Sequence, residues 1–212
     1  MPRPQRTVQD PDVAGAARRQ GETTRAAILI EALRLASEVG FEGLTIGVLA
    51  SKVGMSKSGL YAHFDSKEAL QCAALDYAAD SFKAVVVSPA FSQPRGLARL
   101  DTLLTRWIHW ERDELPGGCP FIVAAAEFDD RPGPTRDLLV SYINQMVDAI
   151  ARSATYAIEV GDFREDLDTR QYAYEFWGTV LAYQQFERLL GADDAEAMAR
   201  AAIAQLNARA SA

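Results

Sequence analysis

Residues 44–67 give the same local instruction twice, and that repetition restricts the fold more than any other feature. Leu44-Thr45 and Met55-Ser56 each set an apolar residue directly before a hydroxyl residue at the head of a short run. A hydroxyl so placed accepts from a backbone N–H one turn on, and the apolar residue before it staples to one inside the helix, here Leu44 to Leu49 and Met55 to Leu60. Two short helices are therefore expected, the first ending near Val53 and the second opening at Ser56, with Gly54 supplying the turn between them.

The rest of the chain also reads as helix. Ile28, Ala32, Leu35 and Val39 recur on one face of a first helix from Thr24, which Gly40 stops with a left-handed cap. A fourth helix starts near Ser66, or at an Asp65/Glu68 capping box, and runs to about Val86 before Pro89 and Pro94 break the chain. Further helices are expected over 96–115, 121–128, 134–160, 169–190 and 193–208, the last opened by an Asp193/Glu196 capping box. No useful length alternates with period two. The fold class is all-α, with about nine helices: an N-terminal three-helix head carrying a helix-turn-helix and a C-terminal helical domain. The expected organisation is a disordered tail over residues 1–21, poor in large apolar residues, a head over 22–66 and a body over 67–212.

In TIGVLASKVGMSKSGLYAHFDSK, residues 45–67, Ile46, Leu49, Val53 and Leu60 face inward and Ala50 lets the two short helices cross closely. Lys57, Ser58, Gly59, Tyr61 and His63 remain outward on the third helix, a polar face able to enter a major groove. Gly59 costs a helix about 1 kcal/mol relative to Ala, which close approach of a partner to the backbone would justify. Tyr61 and Lys57 can reach phosphates, Thr45 and Ser56 bring free backbone N–H groups to the DNA backbone, and Lys67 is placed as a further phosphate contact. The net charge of −7 argues against a nucleic-acid partner until its distribution is read. Residues 1–70 carry nine Lys/Arg against eight Asp/Glu, whereas residues 71–212 carry thirteen against twenty-one, so the acid lies away from this segment.

Thr45, Ala50, Val53-Gly54, Ser56-Lys57, Leu60-Tyr61, Phe64 and Lys67 together resemble the N-terminal signature of TetR-family regulators, over about Thr24 to Asp76. Ser58, where Gly or Ala is frequent, and His63, where Tyr or His is usual, are the small departures. The resemblance implies that the third helix is a recognition helix for a double-stranded DNA operator and that a C-terminal homodimer holds two heads. It also implies a ligand pocket in that domain and, usually, repression of nearby genes. By the same resemblance the last two long helices form the dimer seam, with Phe176, Val180, Tyr183, Met198, Ala202 and Leu206 as its candidates.

Trp107, Trp110, Phe121, Phe128, Tyr142, Met146, Tyr174 and Trp177 lie on the central helices that enclose the ligand in such proteins, and suit an apolar, unidentified small molecule. Glu127 and His109 are the polar groups to follow there; Glu127 needs a cation, a ligand, solvent or a helix end. Cys119 beside Pro120 is either an oxidant sensor or a small hydrophobe. Cys72 and Cys119 form no CxxC or Cys/His cluster, and no signal peptide or membrane span is read, so a soluble cytoplasmic protein without cofactor, metal or membrane partner is expected. No Gly-rich phosphate loop or GxSxG is present, and His63 and His109 are the only histidines, which leaves an enzyme with a DNA-binding head as a distant alternative. A regulator governed by a protein partner, or an activator, is the nearer one.

Overall fold

The computed structural model describes residues 11–211. Its helices are α1 (Pro11–Gly43), α2 (Ile46–Lys52), α3 (Lys57–Tyr61), α4 (Lys67–Phe82), α5 (Ser88–Phe91), α6 (Leu97–His109), α7 (Pro120–Phe128), α8 (Pro134–Glu159), α9 (Thr169–Gln184) and α10 (Ala195–Ala210). A π turn over Lys83–Val87 carries α4 into α5 without a break, so the ten segments make nine rods among the described residues, and these contain no strand beyond a single bridge between Phe163 and Ser211. No helix of the described residues is long and apolar enough to cross a membrane.

The start of α1 corrects the expectation of a tail to residue 21: residues 1–10 lie outside the described ones, and from Pro11 the chain is helical. Proline fits a first helical turn, and Ala14, Ala16 and Ala17 are strong helix formers. Scarcity of large apolar side chains limits what a helix can bury without preventing the backbone from coiling. The expected stop at Gly40 is present as a bend (φ 77°, ψ 168°), after which Phe41–Gly43 forms a turn of its own. Ile28, Ala32 and Leu35 line the buried face, but Val39 is 50% exposed, because the bend hands the next inward position to the fully buried Phe41.

Pro89 does not break the chain. The π turn before it shifts the hydrogen-bond ladder by one residue, and proline enters the first turn of α5, where its missing N–H costs little. The break falls at residues 92–96, where Arg99 gathers the Gln93 carbonyl (3.0 Å) and Gly96 (φ 107°) precedes α6. Asp162, from the loop after α8, caps α6 by accepting from Leu97 N (2.8 Å). The expected Asp193/Glu196 box is absent. Asp194 is the N-cap position of α10 and makes no side-chain cap, while Glu196 is drawn off by Arg112 (2.7 Å) and Arg200 (2.8 Å).

In the body α9 packs between α8 and α10, and α4 lies between α1 and α8. Residues 115–119 join these layers. Gly117 N donates to Ser37 Oγ (3.1 Å), Cys119 N donates to Gln184 Oε1 (3.1 Å), and Arg188 reaches across to the Pro116 carbonyl (2.9 Å). A Cβ on Gly117 would lie 1.6 Å from the Ser37 carbonyl oxygen and 1.8 Å from its carbon, so the loop is seated on the α1 backbone itself. Neither backbone can yield without moving a helix. Gly117→Ala is therefore expected to cost about 3 kcal/mol, the upper end of the usual overpacking range, read as a lower urea midpoint at unchanged slope.

Candidate nucleic-acid interface

Helices of seven and five residues cannot persist in water alone, so α2 and α3 exist because their ends are capped and one side is buried. Thr45 Oγ1 accepts from Val48 N (3.2 Å), Ser56 Oγ from Gly59 N (3.0 Å) and Ser66 Oγ from Ala69 N (3.0 Å), which places the α4 cap at Ser66. Leu44, Ile46, Leu49, Ala50, Leu60 and Phe64 are buried beneath. Gly54 (φ 67°) has open space where a Cβ would stand, so its turn requires glycine for conformation and not for room.

What this packing leaves outward is Ser56, Lys57, Ser58 and Tyr61, all exposed, with Thr45, Gly59 and His63 half-buried beside them. Gly59 has a reason within the chain as well: a Cβ there would meet Ser56 Oγ at 3.2 Å and crowd the cap. The His63 carbonyl accepts from Arg25 Nη1 (2.7 Å), whose guanidinium lies over the Phe64 ring (4.4 Å). Lys67 is turned partly inward, donating to the Glu42 carbonyl (2.9 Å) and lying 3.4 Å from its carboxylate. Sequence reasoning missed Gly47 and Lys52. The Lys57 stem crosses Gly47, its Cε 3.2 Å from where a Cβ would stand, and Thr45, Gly47, Val48, Ser51, Lys52 and Lys57 rim one shallow concavity. The spacing of Gly47 two residues after the Thr45 cap was the available signal.

Residues 28–74 match the family described as "Bacterial regulatory proteins, tetR family", and residues 96–203 match "Tetracyclin repressor-like, C-terminal domain". The chain belongs to the TetR family. It is accordingly a DNA-binding transcriptional regulator and not an enzyme. A TetR transcriptional regulator from Chloroflexus aurantiacus is 26% identical, with 90% of this chain and 95% of that one covered at a TM-score of 0.79. AibR, solved with isovaleryl coenzyme A and operator DNA, is 27% identical over 76% of this chain and 85% of its own, with a TM-score of 0.64. SCO4454 from Streptomyces coelicolor shares the fold at 20% identity and a TM-score of 0.77, over 90% and 97% of the two chains. A search of curated protein sequences finds no match.

In the body of this TetR-family regulator, Phe82 is the centre of an aromatic cluster that sequence reasoning did not include. Its ring meets Trp107 (4.8 Å), Trp110 (5.6 Å) and Phe121 (6.1 Å) edge-on, while Phe121 meets Tyr142 and Trp107 meets Trp177. Phe128 and Met146 are also buried. Three expected members do not belong. Tyr174 is 71% exposed, since Tyr172, Phe176 and Val180 take the inner face of α9. Glu127 stands at the head–body junction, where its Oε2 accepts from Phe41 N (2.8 Å) and Glu42 N (3.2 Å), so it is spent on a helix end. His109 likewise points outward, pairing with Asp113 (2.8 Å) and Glu114 (3.0 Å). Cys119 is fully buried and its thiol is pushed up to about 12, which removes the thiolate that an oxidant sensor needs.

The seam candidates divide. Phe176 and Val180 are buried within their own chain, Phe176 beside Tyr172, because they share the inner face of α9. Met198 and Ala202, by contrast, are exposed along a groove of about 470 Å³ between α9 and α10, which the buried Tyr183 and Leu206 also line, with Phe186 and Ala199. Met198 and Phe186 are about two-fifths exposed there.

Glu111, which the sequence did not mark, has its acid–base chemistry strongly perturbed. It is 2% exposed, and neither carboxylate oxygen finds a well-formed hydrogen bond, although the indole nitrogens of Trp107 and Trp110 and the Tyr183 hydroxyl are also buried without partners. Burial holds its carboxyl up at about 8, and the Trp107 indole and the Arg188 charge offset only part of that rise. The folded chain thus binds a proton that the unfolded chain releases above its ordinary value of 4.5. The stability this confers is complete below 4.5 and is lost as pH rises through about 8, on the order of a few kcal/mol in all. Glu111→Gln is expected to flatten the fall in stability across that window, checked by urea unfolding at a series of pH values.

Proposed function

We propose that this regulator is a homodimer that represses from a palindromic operator, in the cytoplasm, and leaves it when a small, largely apolar ligand enters the body. The observation that carries the DNA half is the exposed polar face of α3, Lys57, Ser58 and Tyr61, on a helix capped by Ser56 and backed by Leu60. Its N-terminal end enters the major groove, Tyr61 and Lys57 meeting phosphate or a guanine edge. Gly59 and His63 lie beside this face, half-buried. Backbone N–H groups at the starts of α2 and α3, behind Thr45 and Ser56, face the DNA backbone, and the remaining donor capacity of Lys67 serves the same strand.

A palindrome requires two such heads about one turn of DNA apart, roughly 34–36 Å, and so a two-fold protein. The groove between α9 and α10, with Met198 and Ala202 open to solvent, is the surface proposed for the second copy. Aromatic rings around Phe82 support an apolar ligand beside Trp107, Trp110 and Phe121. AibR binds isovaleryl coenzyme A as well as operator DNA, which supports a ligand-responsive reading here.

Purified protein is expected to shift DNA from a genomic selection or from upstream of its own gene, and Lys57→Ala/Tyr61→Ala to weaken that binding about 100-fold or more with the fold intact by circular dichroism. Equal binding by the double variant would remove α3 as the reader. Met198→Glu/Ala202→Glu is expected to sediment as a monomer at concentrations where the native chain is dimeric, and to lose operator binding with it. A dimer that persists would move the seam elsewhere.

A further inference from the structure

We propose that Glu127 is the residue through which the body positions the recognition helix. The inference rests on the reading of α3 as that helix. Glu127 closes α7, and its carboxylate sits over the bend of α1, where a Cβ on Gly40 would come within 1.9 Å of Oε1. From there Oε2 holds Phe41 N and Glu42 N at 2.8 and 3.2 Å, supplying the cap that the turn after the bend cannot draw from its own sequence. One oxygen accepts from both N–H groups, so the reach of this acceptor governs the turn.

The neighbours complete the grip. The Phe41 carbonyl accepts from the buried Gln71 side chain of α4 (2.7 Å), and Glu42 is held by Lys67 (3.4 Å) and by Arg131 (3.2 Å) from the loop after α7. Leu44 N closes back on the Phe41 carbonyl (3.2 Å), and Thr45, the next residue, caps α2. Only Gly43 and Leu44 therefore separate the residues held by Glu127, Phe41 and Glu42, from Thr45 at the start of the helix-turn-helix. At the opposite end of α7, Phe121 is fully buried against Phe82 and Tyr142. Six steps along the helix, a rise of about 9 Å, separate a side chain in the aromatic core from one that fixes the head. A displacement of Phe121 is carried along that short rod to Gly40.

The test uses the full chain and an operator obtained by genomic selection, with Glu127→Ala, Glu127→Asp and Glu127→Gln beside the native protein. Glutamine keeps an acceptor at the same reach, whereas aspartate keeps the charge and withdraws it by one methylene. The expected result is that Glu127→Ala and Glu127→Asp each weaken operator binding about tenfold or more. Both should also speed amide hydrogen exchange at Phe41 and Glu42. Glu127→Gln should stay within about threefold of native on both readouts, and the melting temperatures of Asp and Gln variants should agree. A role limited to stability would instead order operator affinity by melting temperature, and that result overturns the proposal. Native operator affinity in Glu127→Asp, with or without faster exchange, overturns it too and leaves the DNA-binding reading standing. Failure of the native chain to bind any selected DNA removes the DNA-binding reading itself.

Discussion

Two helices of seven and five residues can be held at a fixed angle only by what they rest on, and here α2 rests on α1, bent at Gly40, and on α3. The bend is the constraint from which the rest follows. Positive φ at Gly40 turns Phe41 into the core and leaves the backbone of Phe41 and Glu42 needing acceptors, and the Glu127 carboxylate fits the space a side chain at position 40 would occupy. Phe41, Leu44, Leu49, Leu60 and Phe64 then close around the turn with virtually no exposure. A head that buries so few large side chains owes its geometry to the body beneath it as much as to its own core.

The features legible in the sequence were those decided within one turn of chain. Thr45, Ser56 and Ser66 each accept from an N–H three residues on, so the helix starts they make could be read from adjacent letters. The features that escaped are long-range versions of the same physics. Glu127 caps the turn after Gly40 and Asp162 caps α6 after Gly96, each from more than sixty residues away and each behind a glycine with positive φ. Glu196 shows the converse, a local cap lost because Arg112 and Arg200 compete for its carboxylate. The family resemblance singled out α9 and α10 but not which neighbour covers each of their apolar side chains. Phe176 and Val180 went to the chain's own core, and the groove left exposed between α9 and α10 is marked by Met198, Ala202 and Phe186.

Glu111 was illegible for a different reason. In sequence it is one acid in the run Glu111, Arg112, Asp113, Glu114, which reads as a solvated helix end. A π turn over Trp110–Glu114 changes the helical phase there, and the first acid of the run is buried while the others are exposed. An uncharged carboxyl costs far less to bury than an ionised one, so the folded state keeps the proton in preference to seeking a counter-ion. Arg188 lies near enough to be felt, yet it is committed to the Pro116 carbonyl across Gly118. The body thus carries a polar group without a partner beside the rings of Trp107 and Trp110, in the part of the chain where a ligand is proposed to enter.

The GGCP segment explains why head and body should respond together. Gly117 is pressed to the backbone of Ser37, Gly118 lies under Arg188, Cys119 N is tied to Gln184 of α9, and Pro120 begins α7. The beginning of α7 is therefore registered against α1 near Ser37, and its end against α1 at Gly40 and Phe41. A helix anchored to another at both of its ends cannot slide along it without breaking one of the two contacts, and packed interfaces shift between discrete arrangements in preference to deforming continuously. Although α1 lies in the head by sequence, mechanically it is bound to the body. A change in the aromatic core that moves α7 must either carry α1 with it or release Phe41 and Glu42, and both routes end at Thr45, where α2 begins.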